Sequence, residues 1–419
     1  MFNKISVIGL GYIGLPTAAI FASRQKKVLG IDIDASIVRK INKGEIHITE
    51  PGLNSIVHSV FNEGYLKASV QVEPADVFII AVPTPFKKNN SEIPTPDLKH
   101  IKAAVMSIAP VLTKGNLVIL ESTSPVGTTE KISEWLSESR PDLNFPHIHF
   151  DEADINIAYC PERVLPGNVV NELIENDRVI GGISLLCSQR SLELYKTFVN
   201  GECIITNSRT AEMVKLTENS CRDVQLAFAN ELSIICDNLN IDVWELISLA
   251  NRHPRINILN PGPGVGGHCI AVDPWFIVSK SPSDAHIIKL ARKINDSKPD
   301  WVCDKIKITI AEYLQKNESK TINDVTIAFY GLAFKADIDD LRESPAVIIS
   351  KKITDTHKGR VLVVEPYINS LPKALSNADL CDFDFAQKEA DVHVVLVDHN
   401  VFKEASPDCE FMIDTRGIW

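Results

Sequence analysis

The N-terminal part of the chain alternates short apolar runs with turns of small or polar residues. Such runs begin at Lys4, Val28, Asp76 and Leu117. Between the first two lies the helical segment Leu15–Ala22, which tolerates Pro16 because the first turn of a helix needs no backbone donor there. The alternation predicts an α/β unit with a parallel sheet, whose strands form a ligand crevice at their carboxyl ends.

The turn after the first run carries Gly9-Leu-Gly-Tyr-Ile-Gly14, the G-x-G-x-x-G pattern of dinucleotide-binding folds. Gly9 would make the turn, Gly11 would let a pyrophosphate approach, and Gly14 would allow close packing of helix on strand. Asp32 stands in the second run about twenty residues later, where such a fold places the acid that binds the ribose. Its carboxylate favours NAD over NADP, because it would repel a 2′-phosphate.

The third and fourth runs, Asp76–Pro85 and Leu117–Thr128, also end in small polar turns. Thr84 and Thr123 stand in these turns and should face the cofactor if the sheet is parallel. Ordinary turn chemistry is an equally good interpretation, since Pro, Ser, Thr and Gly are common after strands.

Beyond this unit the pattern changes twice. From about Thr210 to Asn251 apolar residues recur at helical spacing, which predicts a long helix. Strand-like runs then return at Thr326–Phe334, Arg360–Glu365 and Asp391–Asp398. The turn after the first of them lacks a full glycine fingerprint and carries Lys335 and Arg342, which suit a charged ligand better than a second NAD.

We therefore expect an α/β protein with two Rossmann-like doubly wound domains joined by a central helical segment that contains one long helix. The expected boundaries are 1–207 for the NAD-binding domain, 208–310 for the central domain with its cysteine loop, and 311–419 for the second Rossmann-like domain.

Composition fits a soluble enzyme. The 419 residues suggest two or three domains, and a hydrophobic content of 45% can supply their cores without any run of membrane-spanning length. The nine cysteines include no C-x-x-C pair, so we expect neither a disulfide framework nor a metal site, and a reducing, cytoplasmic location. A net charge of −11 without basic clusters argues against nucleic acid and anionic membranes as partners.

Glu212, Lys215, Asn219 and Arg222 are spaced so that they share one side of the predicted long helix. A solvated face with occasional ion pairs is one interpretation of this row. If the face lines an active site instead, Lys215 would stabilise charge or transfer a proton, and Asn219 would orient a neighbouring group.

The segment Pro261–Pro274 holds four glycines and three prolines among fourteen residues, so it cannot form a regular element. It presents Cys269, with Asp273 four residues further on. Glycines would let substrate atoms and backbone N–H groups approach the thiol, which could act as a covalent nucleophile. An inert thiol in a tight turn is the alternative.

Seven motifs, in the same order, resemble those of the UDP-glucose/GDP-mannose dehydrogenase family over nearly the whole chain. They are Gly9–Gly14, Val82-Pro-Thr-Pro85, Ser122–Thr128, Pro161-Glu-Arg163, Lys215-Leu-Thr-Glu-Asn219, Gly264-Val-Gly-Gly-His-Cys269 and Phe334–Pro345. Two further segments, Asn251–Asn257 and Ala271–Phe276, resemble the branch of the family that acts on N-acetylated mannosamine nucleotides.

The resemblance implies a four-electron oxidation, in which the C6 alcohol of a UDP-sugar becomes a carboxylate at the expense of two NAD⁺. The Cys269 thiolate would attack the intermediate aldehyde, and the thiohemiacetal would be oxidised to a thioester that water releases. Lys215 and Asn219 would stabilise the oxyanion, and Asp273 would handle protons or orient water. Glu162 and Thr123 would assist water positioning and proton transfer.

The resemblance also implies two sets of binding residues. Cofactor contacts are expected from Gly9, Gly11, Tyr12, Ile13, Gly14, Asp32, Thr84 and Thr123. Contacts to the UDP-sugar are expected from Lys215, Asn219, Arg163, Val164, Arg222, His253, Arg255, Gly266, Phe334, Lys335 and Arg342. His253 and Arg255 are the expected readers of the acetamido group, with a satisfied loop histidine as the alternative for His253. Arg416 is a further candidate contact to substrate, cofactor or subunit, and a solvated tail is its alternative.

The resemblance implies an NAD-dependent enzyme that oxidises UDP-N-acetyl-D-mannosamine for a cell-envelope polysaccharide and forms a homodimer through its central helices. One alternative is an enzyme of the same family acting on UDP-N-acetylglucosamine or UDP-glucose, since sequence alone does not resolve sugar epimers. The other is a non-catalytic protein that binds NAD and nucleotide sugars, which the presence of Cys269, Lys215 and Asp273 disfavours.

Overall fold

The computed structural model describes residues 2–87, 92–165, 167–267, 269–405 and 409–419. The chain divides into two compact units, Met1–Glu218 and Asn219–Trp419. Within the described ranges no helix is long and apolar enough to cross a membrane, and no group of three or more His, Cys, Asp or Glu side chains is placed to hold a metal ion.

The first unit is built on one eight-stranded sheet. Its strands are β1 (Lys4–Ile8), β2 (Lys27–Ile31), β3 (Leu66–Ser69), β4 (Val77–Ile80), β5 (Leu117–Leu120), β6 (Asn156–Tyr159), β7 (Arg178–Gly182) and β8 (Cys203–Asn207). Their spatial order is β3-β2-β1-β4-β5-β6-β7-β8. Neighbours are parallel except for β6 and β7, which are antiparallel.

Helices cover both faces of this sheet. They are α1 (Gly14–Ser23), α2 (Ala35–Ile41), α3 (Leu53–Asn62), α4 (Lys99–Ile108), α5 (Thr128–Ser139), α6 (Pro146–His149), α7 (Val169–Glu175) and α8 (Leu185–Tyr195), with short 3-10 turns at Ala109–Val111 and Phe150–Glu152. Alternate residues of a strand enter different cores: Ile79 and Ile119 join one apolar cluster, and Phe78 and Val118 join the other. The doubly wound arrangement expected from the sequence is confirmed.

The predicted long helix is present as α9 (Ser208–Asn238), and the division between the units falls within it. The prediction that it continues to Asn251 is wrong, because a separate helix, α10 (Val243–Ala250), follows a break. Asn240 has a φ of 53° in this break, and Asp242 caps α10 by accepting a hydrogen bond from the backbone N of Trp244 at 2.8 Å. Asn tolerates left-handed backbone and Asp favours N-caps, so local side chains end the helix.

The second unit contains a five-stranded parallel sheet. Its strands are β9 (Ile327–Tyr330), β10 (Val361–Val364), β11 (Asp379–Leu380), β12 (Val392–Val395) and β13 (Met412–Asp414), in the order β11-β10-β9-β12-β13. Its helices after α10 are α11 (Asp273–Lys280), α12 (His286–Lys316), α13 (Pro345–Thr356), α14 (Phe383–Glu389) and α15 (Asn400–Lys403), with 3-10 turns at Ile322–Asp324 and Lys373–Leu375. Beyond the one predicted, α12 is a second helix of 31 residues.

Alternate residues of β9 again serve two cores, with Ile327 and Phe329 in one and Ala328 and Tyr330 in the other. The second domain is therefore doubly wound, as the repeated pattern of strands predicted.

Candidate active site

The glycine turn between β1 and α1 is shaped by close backbone contacts. Gly9 has a φ of 93°, and a Cβ there would lie 2.5 Å from the carbonyl oxygen of Ala81. A Cβ on Gly14 would lie 1.8 Å from the carbonyl oxygen of Gly9. Gly11 differs, because a Cβ there would meet no atom within 4 Å. The open side of the turn thus leaves room for a phosphate at the N-terminus of α1.

Asp32 follows β2 directly and is fixed beside this turn. Its Oδ2 accepts a hydrogen bond from the backbone N of Leu10 at 3.0 Å, and its Oδ1 accepts one from the backbone N of Asp34 at 2.9 Å. Each oxygen of the half-buried carboxylate keeps capacity to accept a second bond, as from a ribose hydroxyl. Tyr12 packs against the core of the unit and Ile13 stands at the N-cap of α1.

Thr84 and Thr123 meet at the carboxyl ends of β4 and β5. The hydroxyl of Thr84 donates to the backbone carbonyl of Thr123 at 2.7 Å. Beside them, the hydroxyl of Ser122 donates to the carbonyl of Val82 at 2.7 Å. The parallel sheet therefore brings the two threonines together at one edge.

The turn after β6 carries Glu162, Arg163 and Val164. Glu162 is buried; its Oε2 lies 2.6 Å from Nη2 of Arg178, and its Oε1 accepts from the backbone N of Arg163 at 2.6 Å. The guanidinium of Arg163 pairs with Glu218, with Nη2 and Oε1 2.6 Å apart. Val164 packs against the apolar core.

The row of polar residues on α9 is not simply a solvated face. Glu212 is fully buried and accepts from the backbone N of Gly127 at 2.6 Å, and from the backbone N and hydroxyl of Thr129 at 2.8 and 2.6 Å. It therefore caps the N-terminus of α5, and burial raises its pKa although these donors oppose the shift. Lys215, about one helical turn further on, is half-buried.

In the second unit, the cysteine loop leads directly into α11. The backbone N of Asp273 donates to the carbonyl of Cys269 at 2.8 Å, so the four-residue spacing corresponds to one helical turn. Asp273 is 3% exposed, and its Oδ2 accepts from Nδ2 of Asn219 at 2.5 Å. Cys269 is half-buried. His268 lies outside the described residues.

The glycines of this loop lie against the Phe334–Pro345 segment. A Cβ on Gly266 would lie 2.7 Å from the carbonyl oxygen of Glu343 and 2.9 Å from Cβ of Phe334. A Cβ on Gly267 would lie 3.1 Å from the ring of Phe334. A side chain at either position would overlap the Phe334–Pro345 segment, so glycine is needed there. The two motifs lie in contact as a result.

A small cleft opens beside this contact. It is lined by Pro263, Gly264, Ala333, Phe334, Lys335, Pro345, Ala346, Leu396, Val397, Asp398 and Arg416. Lys335 is exposed, and Arg342 folds onto Asp340 with its Nη2 2.6 Å from the carboxylate.

The chain end is not a solvated tail. Nη2 of Arg416 lies 2.5 Å from the carboxylate of Asp398, and the carboxylate of Asp414 accepts hydrogen bonds from the backbone N of Arg416, Gly417, Ile418 and Trp419. Arg416 is thereby held in the wall of the cleft.

Of the twelve predicted substrate residues, Phe334, Lys335 and Arg416 line this cleft, and the other nine are not among its lining residues. Arg222, His253 and Arg255 all have exposed side chains. Nδ1 of His253 accepts from the backbone N of Arg255 at 3.3 Å, as a satisfied loop histidine would.

Sequence reasoning missed four buried titratable residues beside the predicted sites. Glu121 and Arg178 lie beside Glu162, and Glu365 and His399 lie beside the turn after β9. Only Glu365 had a usable signal, because it follows the second strand of its sheet as Asp32 does in the first.

Comparison with known proteins places these elements in one family. Profiles of the UDP-glucose/GDP-mannose dehydrogenase family match residues 3–199 (NAD binding domain), 209–297 (central domain) and 328–419 (UDP binding domain).

Individual relatives match over full length. A UDP-N-acetyl-D-mannosamine dehydrogenase of Yersinia pestis is 59% identical over 100% of this chain and 99% of its own. An NDP-N-acetyl-D-galactosaminuronic acid dehydrogenase of Ralstonia nicotianae is 55% identical over 100% of this chain and 96% of its own. The solved structure of a UDP-D-ManNAc dehydrogenase from Pyrococcus horikoshii is similar with a TM-score of 0.86 at 37% identity, covering 99% of this chain and 96% of that one.

Proposed function

The chain belongs to the UDP-glucose/GDP-mannose dehydrogenase family, and we propose that it oxidises UDP-N-acetyl-D-mannosamine at C6 to UDP-N-acetyl-D-mannosaminuronate. The reaction consumes two NAD⁺ and one water. Its product would supply an acidic sugar for a cell-envelope polysaccharide.

The first unit has the features that NAD requires. Gly9 and Gly14 make the turn, Gly11 leaves its outer side open, and Asp32 offers carboxylate oxygens to a ribose. Thr84 and Thr123 stand at the adjoining strand ends. NAD⁺, when bound, accepts the hydride in each of the two oxidation steps.

The observation that carries the proposal is the connected set Cys269, Asp273 and Asn219. Asp273 is buried, is held by the Asn219 amide and lies one helical turn from Cys269. The Cys269 thiolate can add to the C6 aldehyde and retain the carbon as a thiohemiacetal and then as a thioester. Asn219 can donate to the oxyanion, and Asp273 can orient the water that releases the acid and restores the thiol.

The remaining assignments follow the family. Lys215 would stabilise the oxyanion or transfer a proton, and Glu162 and Thr123 would position water. The residues expected around the UDP-sugar are Arg163, Val164, Arg222, His253, Arg255, Gly266, Phe334, Lys335, Arg342 and Arg416. The three domains would span residues 1–207, 208–310 and 311–419, and the last of them would bind UDP.

The experiment is NADH formation on limiting UDP-N-acetylmannosamine, with UDP-N-acetylglucosamine, UDP-glucose and UDP-N-acetylgalactosamine in parallel. Two NADH per sugar on the first substrate, lost in Cys269→Ala, would support both the mechanism and the epimer. Cys381→Ala is the matched control, since Cys381 is another half-buried thiol of the same unit. One NADH per sugar would contradict the thioester scheme. Activity confined to another nucleotide sugar would show that this sugar, and not UDP-N-acetylmannosamine, is the substrate.

A homodimer through the central helices is supported by apolar side chains exposed on them. Phe228 and Ile235 on α9 are 51% and 45% exposed, and Leu249 on α10 is 60% exposed. A dimer mass by light scattering that Phe228→Glu reduces to a monomer, while the control Val401→Glu does not, would support it. We expect the enzyme to work in the cytoplasm.

A further inference from the structure

Three charged side chains are buried together in the first unit, where β5 and β6 end and β7 begins. Glu121 directly follows β5, Glu162 lies in the turn after β6, and Arg178 begins β7. The Arg178, Glu121 and Glu162 side chains are 4%, 0% and 7% exposed. A buried charge without a partner is costly, so each of these groups needs a charged or hydrogen-bonding partner.

Arg178 divides its guanidinium between the two carboxylates. Its Nη2 lies 2.6 Å from Oε2 of Glu162, and its Nη1 lies 3.1 Å from Oε1 of Glu121. The ring of Tyr195 faces the guanidinium at 4.2 Å, and its hydroxyl donates to Oε1 of Glu121 at 3.2 Å. Thr17 of α1 donates to Oε2 of Glu121 at 3.1 Å. The five side chains form one buried cluster.

One guanidinium does not neutralise two carboxylates, and a buried pair of like charges favours protonation of one of them. Glu162 makes the shorter contact with Arg178 and also accepts from the backbone N of Arg163. Burial raises the pKa of Glu121 to about 7, although the charge of Arg178 opposes the shift. Glu121 is therefore the carboxyl of the cluster that takes up a proton as the pH falls through about 7.

The cluster includes one predicted catalytic residue and adjoins a motif that carries another. Glu162 is a member of it, and Glu121 immediately precedes the Ser122–Thr128 motif. On its other side, Thr17 belongs to α1, the helix that begins at Gly14.

We propose that Arg178 is a positioning residue for the dehydrogenase reaction, which holds the Glu162 carboxylate in one orientation while its guanidinium also pairs with Glu121. The role of Glu162 in this inference rests on the proposed function, whereas the charge arrangement does not. Each oxygen of a fixed Glu162 carboxylate keeps a lone pair that can accept from water. Such a group suits orientation of the water that hydrolyses the thioester.

The kinetic test compares Glu162→Gln, Arg178→Lys and the double variant. Each single change should lower kcat about ten-fold or more and leave the KM for NAD⁺ within about two-fold, and the double variant should lose no more than the worse single one. Arg140→Lys is the control. Arg140 lies at the C-terminal end of α5, where it pairs with Asp142 and donates to two backbone carbonyls.

Two kinetic outcomes overturn the inference: multiplicative losses in the double variant, or wild-type kcat in Arg178→Lys. If the wild-type protein oxidises none of the nucleotide sugars, the proposed function fails instead. In that case thermal unfolding tests the arrangement of charges in the cluster. The same measurement applies if the Arg178→Lys variant does not fold.

The unfolding test uses Glu121→Gln. The groups that interact with Glu121 are Arg178 of β7, Glu162 after β6, Tyr195 of α8, Thr17 of α1 and the buried thiol of Cys160. Because folding raises the pKa of Glu121, its proton stabilises the folded state below the unfolded pKa, and this contribution is lost as pH rises through about 7. Wild-type Tm should therefore fall relative to Glu121→Gln between about pH 5 and pH 8. A Tm difference that stays constant over this range overturns the inference.

Discussion

The first strands of the two sheets, β1 and β9, are each followed by a glycine with nearly the same positive φ. Gly9 has a φ of 93° and Gly331 has a φ of 92°. A Cβ on Gly9 would lie 2.5 Å from the carbonyl oxygen of Ala81, and one on Gly331 would lie 2.4 Å from Cβ of Val397. In each unit the segment that follows the neighbouring strand, β4 or β12, passes close to the turn and leaves room only for glycine.

Each turn is also tied to an acid that follows the second strand. The backbone N of Leu10 donates to Asp32 at 3.0 Å, and the backbone N of Leu332 donates to Glu365 at 2.6 Å. Asp32 is half-buried, whereas Glu365 is 4% exposed and lies 3.1 Å from Nε2 of the fully buried His399. The same turn thus presents an accessible acid in one unit and an internally satisfied acid in the other.

His399 extends this difference to the segment that carries the expected UDP contacts. Its Nδ1 accepts from the backbone N of Asp337 at 2.9 Å, so the proton must be on Nε2, which donates to Glu365. The Glu365–His399 pair therefore fixes both ends of the segment that holds Phe334 and Lys335. The two units share a fold but differ in binding, because the acid after the second strand is accessible in one unit and already hydrogen-bonded to His399 in the other.

The largest effects are expected from alanine at the two turn glycines. Gly9→Ala and Gly331→Ala should each lower the free energy of unfolding by about 2 to 4 kcal/mol, because a left-handed φ and steric overlap act together. Only Gly9→Ala should also weaken NAD⁺ binding. Urea unfolding and calorimetric titration measure the two effects.

Gly64→Ala is the control for backbone strain alone. Gly64 has a φ of 74°, but a Cβ there would meet no atom within 4 Å. If Gly331→Ala costs no more than this control, the correspondence between the two turns is wrong.

Next in size are the two acids. Asp32→Asn should weaken NAD⁺ binding about ten-fold or more and leave Tm nearly unchanged, because a partly exposed charged acceptor is replaced. Glu365→Gln should lower the free energy of unfolding by about 1 to 3 kcal/mol without changing NAD⁺ affinity, because a buried acceptor loses donors. Equal losses of NAD⁺ affinity in both variants would contradict the comparison.

The third prediction concerns pH. Burial alone would raise the pKa of Glu365, but hydrogen bonds from His399 and from the backbone of Leu332 outweigh it and lower the pKa. The resulting stability is present above the unfolded pKa of about 4.3 and is lost as pH falls through the lower folded value. The Tm advantage of wild type over Glu365→Gln should accordingly be greatest near neutral pH and shrink in acid. An advantage that grows below about pH 4 would reverse the assigned sign.

The smallest effect is expected from Ala333→Gly. Ala333 lies two residues after Gly331, as Gly11 lies two residues after Gly9, so this change gives the second turn the glycine that the first turn has. We expect at most about 1 kcal/mol of destabilisation from the added backbone freedom. Calorimetric titration should still give one NAD⁺ per chain, because Glu365 remains engaged by His399. A stoichiometry of two would mean that the glycine alone distinguishes the turns.

Much of the fold was predictable because its signals are local. Apolar runs identified β1, β2, β4, β5, β9, β10 and β12, and the glycine pattern placed the turn before α1. The helix end was predicted wrongly, because apolar spacing continues across 239–242 while the side chains of Asn240 and Asp242 end α9 and start α10.

The candidate site was predictable only in part. The sequence paired Cys269 with Asp273, and their spacing corresponds to one helical turn. It left open whether Glu212 faces solvent, and that residue instead caps α5, 83 positions away in the chain from Thr129. The roles assigned to the individual site residues remain predictions.

The sequence by itself determined the strand runs, the two doubly wound domains and the positions that must be glycine, because these depend on neighbouring residues and on the limits of the backbone. Only the tertiary structure decided which charges are buried and with whom they pair. Glu121 and Arg178 are 57 residues apart, and Glu365 and His399 are 34 apart. Such contacts arise where separate strand ends meet, and burial then sets the protonation of the groups enclosed there.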